Sequence, residues 1–204
     1  MRRRVFPTAV AVGMITVSGL TFAQTMAPRA DEVQKLEADL RPAIANCRTA
    51  LETAIATAPT VCAGAVTLTE RLPPDRRLER RSARRNLASA FYLNKQYAEA
   101  RVQMERAIVI SGLTDISADA GDDYRDLAII QAALSDFATA DATFARAVRT
   151  YETAIVAIGS PPLAEQYRLR LRQTLDEYIR LKRSQGDAAG AAALEAKAAA
   201  LGPR

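Results

Sequence analysis

The sequence predicts an all-α protein of stacked antiparallel helical hairpins with irregular spacing. Three observations carry this. Alanine, the strongest helix former, supplies 42 of the 204 residues. Proline falls at 28, 42, 59, 73 and 74, then not again until 161 and 162, so it punctuates helices rather than interrupting them. A stretch near residue 87 also recurs forty residues later. No run of alternating β-branched residues suggests a strand.

The elements follow from these marks. Pro42 is expected to open a helix running to about Thr57, with Thr60–Leu72 as its partner. Pro73-Pro74 stops that pair, and Asp75 is expected to cap a helix reaching Asn94. Gln96–Ile110 follows, closed by Gly112. Helices over Asp119–Leu134 and Asp136–Ile158 come next. Pro161-Pro162 launch a long helix to Ser184, and Gly186-Asp187 turns the chain into a last helix ending near Leu201.

The first segment reads as an address. Arg2, Arg3 and Arg4 precede 19 uncharged residues, Val5 to Ala23, that end in small side chains. This describes a secretory signal peptide over 1–23, cleaved after Ala23, and places the chain in the bacterial periplasm or outside the cell. Pro7, Gly13 and Gly19 make the same stretch a poor permanent span. Its loss takes three Arg and lowers the net charge from +5 to +2, so the basic pI is no argument for nucleic acid. Residues 24–41 are expected to form a linker or short helix, and 42–204 the helical domain. Export also bears on Cys47 and Cys62, which are expected either to pair as a disulfide or to stay as two small buried thiols.

Leu87-Ala88-Ser89-Ala90-Phe91 aligns with Leu127-Ala128-Ile129-Ile130-Gln131. Tyr97, Ala100, Met104 and Ala107 align with Phe137, Ala140, Phe144 and Ala147 at the same offset of forty. In this spacing the chain resembles the tetratricopeptide repeat family. The best units are 81–114 and 121–154, and weaker ones are 42–74 and 172–204. The weak last unit carries Tyr178-Ile179, Gly186-Asp187, Ala191 and Ala198, with Ala188 and Glu195 at the large positions. Arg84 and Gln131 also stand where large apolar side chains belong. The resemblance implies a right-handed solenoid in which Ala88, Ala100 and Ala107 let helices cross closely. Tyr97 and Met104 would fill the space between hairpins.

It further implies a concave face, lined by the first helix of each unit, that holds protein or peptide partners. Carried over by position, that face comprises Arg85, Ser89, Tyr92, Arg125, Ile129, Asp176 and Arg180. The family's carboxylate-gripping set is not reproduced, because Ser89 and Asp126 stand where its Asn residues belong.

Two charge clusters complete the reading. Arg71, Arg76, Arg77, Arg80, Arg81, Arg84 and Arg85 form a basic run, and Asp115, Asp119, Asp122, Asp123 and Asp126 an acidic one. Stacked hairpins would set the basic helix against the acidic one, and the acidic one against Arg168, Arg170 and Arg172. Alternatively, the Arg76–Arg85 helix docks on anionic lipid or cell-wall polymer. The acidic run brushes a calcium loop, but Ala120 and Asp126 take the places of its Gly and Glu, and helix capping explains the same residues. With no His, two Cys and no Gly-rich phosphate loop, neither catalysis nor a cofactor is expected. The expected function is that of an exported interaction scaffold.

Overall fold

The computed structural model describes residues 29–112 and 117–202, so the leader segment and Asp115 lie outside the described residues. The described residues are all-helical, with eight α-helices: α1 (Ala30–Thr53), α2 (Ala58–Glu70), α3 (Arg77–Leu93), α4 (Tyr97–Ser111), α5 (Ala118–Ala133), α6 (Phe137–Ala157), α7 (Pro161–Ser184) and α8 (Ala188–Ala200). Each helix packs on the next, and α1 also touches α3 as α5 touches α7. The result is a file of four hairpins. No helix among the described residues is long and apolar enough to cross a membrane.

The forty-residue repeat is the packing code. Leu87 and Leu127, Ala88 and Ala128, Ala100 and Ala140, Met104 and Phe144, and Ala107 and Ala147 are all buried. The alanines let helix backbones approach, and Met104 and Phe144 fill the space that remains. Tyr97 is only half-buried and lies against Tyr92, ring centres 5.4 Å apart, so it fills less of the inter-hairpin space than expected. Apolar clusters bridge α1 to α3, α3 to α6 and α5 to α8, so the core is a ribbon shared by successive hairpins.

The hairpin turns repeat as well. α3 ends with Gln96 N donating to Phe91 O at 2.9 Å and Lys95 N to Tyr92 O at 2.9 Å. α5 ends with Asp136 N on Gln131 O at 3.0 Å and Ser135 N on Ala132 O at 2.9 Å. In α7, Asp187 N reaches Lys182 O and Gly186 N reaches Arg183 O. All three are Schellman closures, which need a left-handed residue after the cap. Gly186 takes that conformation without strain, whereas Lys95 and Ser135 hold φ of 61° with a Cβ in place. Lys95→Gly and Ser135→Gly are each expected to raise stability by about 0.5 kcal/mol or more. The measurement is the urea midpoint, and a lower midpoint contradicts the strain argument.

Three boundaries differ from expectation. Pro42 lies inside α1 rather than opening a helix, so the first hairpin begins well before residue 42, and of the two readings, linker or short helix, 30–41 is helix continuous with α1. Pro42 and Ala38 both face solvent, so water can take the carbonyl that the missing N–H leaves unpaired. α3 starts at Arg77 with no side-chain cap, so Asp75 is not its capping residue. Ser117 caps α5, accepting from Ala120 N at 3.1 Å. The long spacing before the last hairpin is not a loop. The offset grows from 40 to 51, and the extra residues lengthen α6 to 21 residues and α7 to 24.

Cys47 and Cys62 are bonded, with Cα atoms 4.7 Å apart and neither residue exposed. A short 3-10 turn, Ile55–Thr57, separates α1 from α2 and gives the hairpin the slack that this approach needs.

Candidate interaction groove

The inner wall is assembled by α3, α5 and α7. Helical spacing puts Arg85, Ser89 and Tyr92 on one face of α3, Arg125 and Ile129 on one face of α5, and Asp176 and Arg180 on one face of α7. All seven line a chain of adjoining depressions. The first, about 420 Å³, lies against α3 and includes Leu78, Arg85 and Ser89. The second, about 240 Å³, is formed by Ser89, Tyr92, Leu93, Met104, Ile129 and Ile130. The third, about 370 Å³, is lined by Arg125, Asp126, Ile129, Asp176, Glu177 and Arg180. A fourth, about 350 Å³, reaches from Tyr92 and Ile129 to Phe137, Glu177 and Leu181. Ser89 joins the first depression to the second, and Ile129 is common to the other three.

Beneath this groove runs a ladder of charges. Asp123, 1% exposed, accepts from Arg81 Nε at 2.6 Å and faces Arg85 Nε at 2.8 Å. Arg85 continues to Asp126 at 3.1 Å, and Arg125 joins Asp126 to Asp122 at 2.9 and 3.0 Å. From the other side, Arg170 of α7 meets Asp122 at 2.9 Å and Asp119 at 3.2 Å. Four guanidinium groups thus balance four carboxylates. Burial pushes the Asp123 carboxyl up, and Arg81 and Arg85 pull it back without cancelling that. Burial alone would lower Arg85 and Arg125, but Asp123 and Asp126 hold the first above its ordinary range, and Asp126 and Asp122 the second.

The expected basic–acidic–basic order is present, though Arg170 alone of the α7 trio joins it. Arg168 pairs with Glu165 at 3.1 Å, and Arg172 donates to the Gly202 carbonyl. The remaining arginines of the basic run serve other partners. Arg77 holds the Ile110 and Ser111 carbonyls that end α4, at 2.6 to 2.9 Å. Arg80 gathers carbonyls in the last turn of α2 and just beyond it, including Thr69 at 3.1 Å and Pro73 at 2.8 Å. Arg76 bonds Glu37 and Glu79, and Arg84 bonds Glu70 and Gln103. Each of the six arginines from Arg76 to Arg85 therefore has a partner inside the protein.

The ladder also explains Gly121. Tyr151, fully buried, donates its hydroxyl to Asp122, which lays its ring across α5. A Cβ on Gly121 would stand 2.8 Å from that ring. Gly121→Ala is expected to cost about 1–3 kcal/mol. Thermal melting checks this, and an unchanged midpoint contradicts it. Among the described residues, no cluster of His, Cys, Asp or Glu is arranged to hold a metal ion.

No family model matches the chain, and no curated protein matches it. Among solved structures it is similar to the crystal structure of BtubC (BKLC) from P. vanneervenii, at 14% identity and a TM-score of 0.44, over 87% of this chain and 96% of that one. At that distance the likeness decides nothing about function.

Sequence reasoning missed part of the groove. Gln173 and Glu177 belong to the same face of α7 as Asp176 and Arg180, a stripe that helical spacing alone could have completed. Met104 and Ile130 were legible only as core, yet they line the central depression, and Leu93, 44% exposed, joins them there.

Proposed function

We propose that this chain is an exported scaffold similar to tetratricopeptide repeat proteins, and that it holds a polypeptide segment along the groove of α3, α5 and α7. One observation carries the reading: seven residues chosen by repeat position fall along one chain of adjoining depressions. A groove with an apolar floor and polar walls suits an extended segment, whose side chains enter pockets while its backbone meets polar groups. The buried disulfide suits an oxidising compartment and so supports export. Docking on anionic lipid or cell-wall polymer through Arg76–Arg85 is the weaker reading, because those cations already bond protein groups.

The test is binding of the full chain to an array of immobilised octapeptides. Ser89→Arg fills the groove at an exposed position, and Val109→Arg alters the outward face of α4, where Val109 is 68% exposed. Binding lost with Ser89→Arg and kept with Val109→Arg is the expected result. No binding to any peptide, with salt-sensitive sedimentation on anionic vesicles instead, overturns the proposal.

A further inference from the structure

We infer that the first depression of the groove is a carboxylate subsite: the bound segment sets an Asp or Glu side chain against Arg81 and Arg85, one or two residues from the apolar side chain that fills the central depression. The inference rests on the groove reading above and adds the chemistry of the partner.

Arg81, Ser82, Arg85, Asn86, Ser89 and Asp119 line this depression, and all but Asp119 carry hydrogen-bond donors. Ser82, Arg85, Asn86 and Ser89 fall at helical spacing on one face of α3. Arg81, 6% exposed, lies at their foot. Its Nε holds Asp123 at 2.6 Å, but its Nη2 is closed off from water and has no hydrogen-bond partner among the described residues. A buried guanidinium nitrogen without an acceptor is costly, and an acceptor seated in the depression is what it lacks. Arg81 Nη1 reaches only Asp119, at 3.5 Å, an exposed partner that a better-placed carboxylate displaces. Arg85 commits Nε to Asp123 and Nη2 to Asp126, and its Nη1 donates no hydrogen bond among the described residues. Ser82, Asn86 and Ser89 also make no side-chain hydrogen bond there.

The ladder as a whole is neutral, so unmet donors rather than net charge draw an anion here. Guanidinium N–H groups bond a carboxylate roughly twice as strongly as a neutral acceptor. A Lys or Arg of the segment would set like charges against Arg81 and Arg85. Arg81 and Asn86 lie outside the positions carried over from the repeat family. Ser89 is common to this depression and the apolar one walled by Tyr92, Leu93, Met104, Ile129 and Ile130. Neighbouring pockets with a shared wall are spanned by one or two residues of extended chain, at about 3.3 Å each.

The test uses the octapeptide array with the full-length chain, the peptides joined to the surface through their C-termini so that no chain-end carboxylate is free. Peptides pairing Leu, Phe or Met with Glu or Asp at the next or second position are expected to bind. Gln in place of Glu is expected to weaken binding about tenfold or more, the scale of a hydrogen bond to a charged group. Asn86→Asp puts the protein's own carboxylate in the depression at a position that bonds nothing, and circular dichroism checks that the fold is kept. It is expected to remove the preference for Glu over Gln and to spare the apolar requirement. Asp119→Asn removes the competing carboxylate and is expected to tighten binding of the Glu peptides about two- to fivefold. Glu and Gln peptides that bind equally well would overturn this inference while leaving the groove reading intact. So would a Glu preference that survives Asn86→Asp, or binding that appears only when the peptides are joined through their N-termini and the chain end is free. No bound peptide at all would overturn both.

Discussion

Asp123→Asn is expected to lower the stability of the folded chain by about 3–5 kcal/mol, the range for breaking a buried ion pair. The substitution keeps the shape and removes the charge. Asp123 is the centre of the seam between the second and third hairpins, with Arg81 at 2.6 Å and Arg85 at 2.8 Å. Without it, Arg81, 8% exposed in its side chain, retains only Asp119 at 3.5 Å. Relief of the desolvated carboxylate offsets part of the loss, but a buried guanidinium facing a neutral amide is the larger effect. Asp119→Asn is the control: its side chain is 57% exposed, so it should change stability by less than about 1 kcal/mol. Urea unfolding at low and high salt separates the two, because a buried pair is screened far less than an exposed one. Equal midpoints for wild type and Asp123→Asn would mean that the apolar ribbon alone holds the seam.

Replacing both Cys47 and Cys62 by Ala is expected to cost about 3 kcal/mol, the loop-closure value for cysteines 15 residues apart. The bond ties α1 to α2, and its surroundings on α3 are small or branched: Ala83, Leu87 and Ala90. Among the described residues the first hairpin has neighbours on one side only, so it gains most from the tie. Hydrogen exchange should show α1 and α2 opening before α5 and α6 in the Cys-free chain. An unchanged urea midpoint, with α1 still protected, would contradict this.

How much of this was legible in the sequence differs by element. The forty-residue repeat was readable because identical packing jobs recur at identical places: Ala88 with Ala128, Met104 with Phe144. Proline placement worked at Pro161-Pro162 and failed at Pro42, because the sequence does not say which face of α1 meets water. The charge ladder was legible as alternating sign, though not that Arg168 and Arg172 turn elsewhere. Arg77 and Arg80 were unreadable because their partners are carbonyls at the ends of other helices. Gly121 was opaque for the same reason. Its neighbour Tyr151 lies thirty residues on and announces itself by no motif. The inner face was legible by repeat position, whereas Gln173 and Glu177 joined it only once α7 was placed beside Arg125 and Asp126.

The most direct test of the account is photo-crosslinking from fixed positions. A benzophenone side chain is placed in turn at Ser89 and Ile129 inside the groove, and at Val102 and Val109 on the outward face of α4. The full-length chain is then irradiated with the peptides that the array retains. Adducts are expected from Ser89 and Ile129 and none from Val102 or Val109. Adducts from the outward positions, or from none of the four, would contradict it.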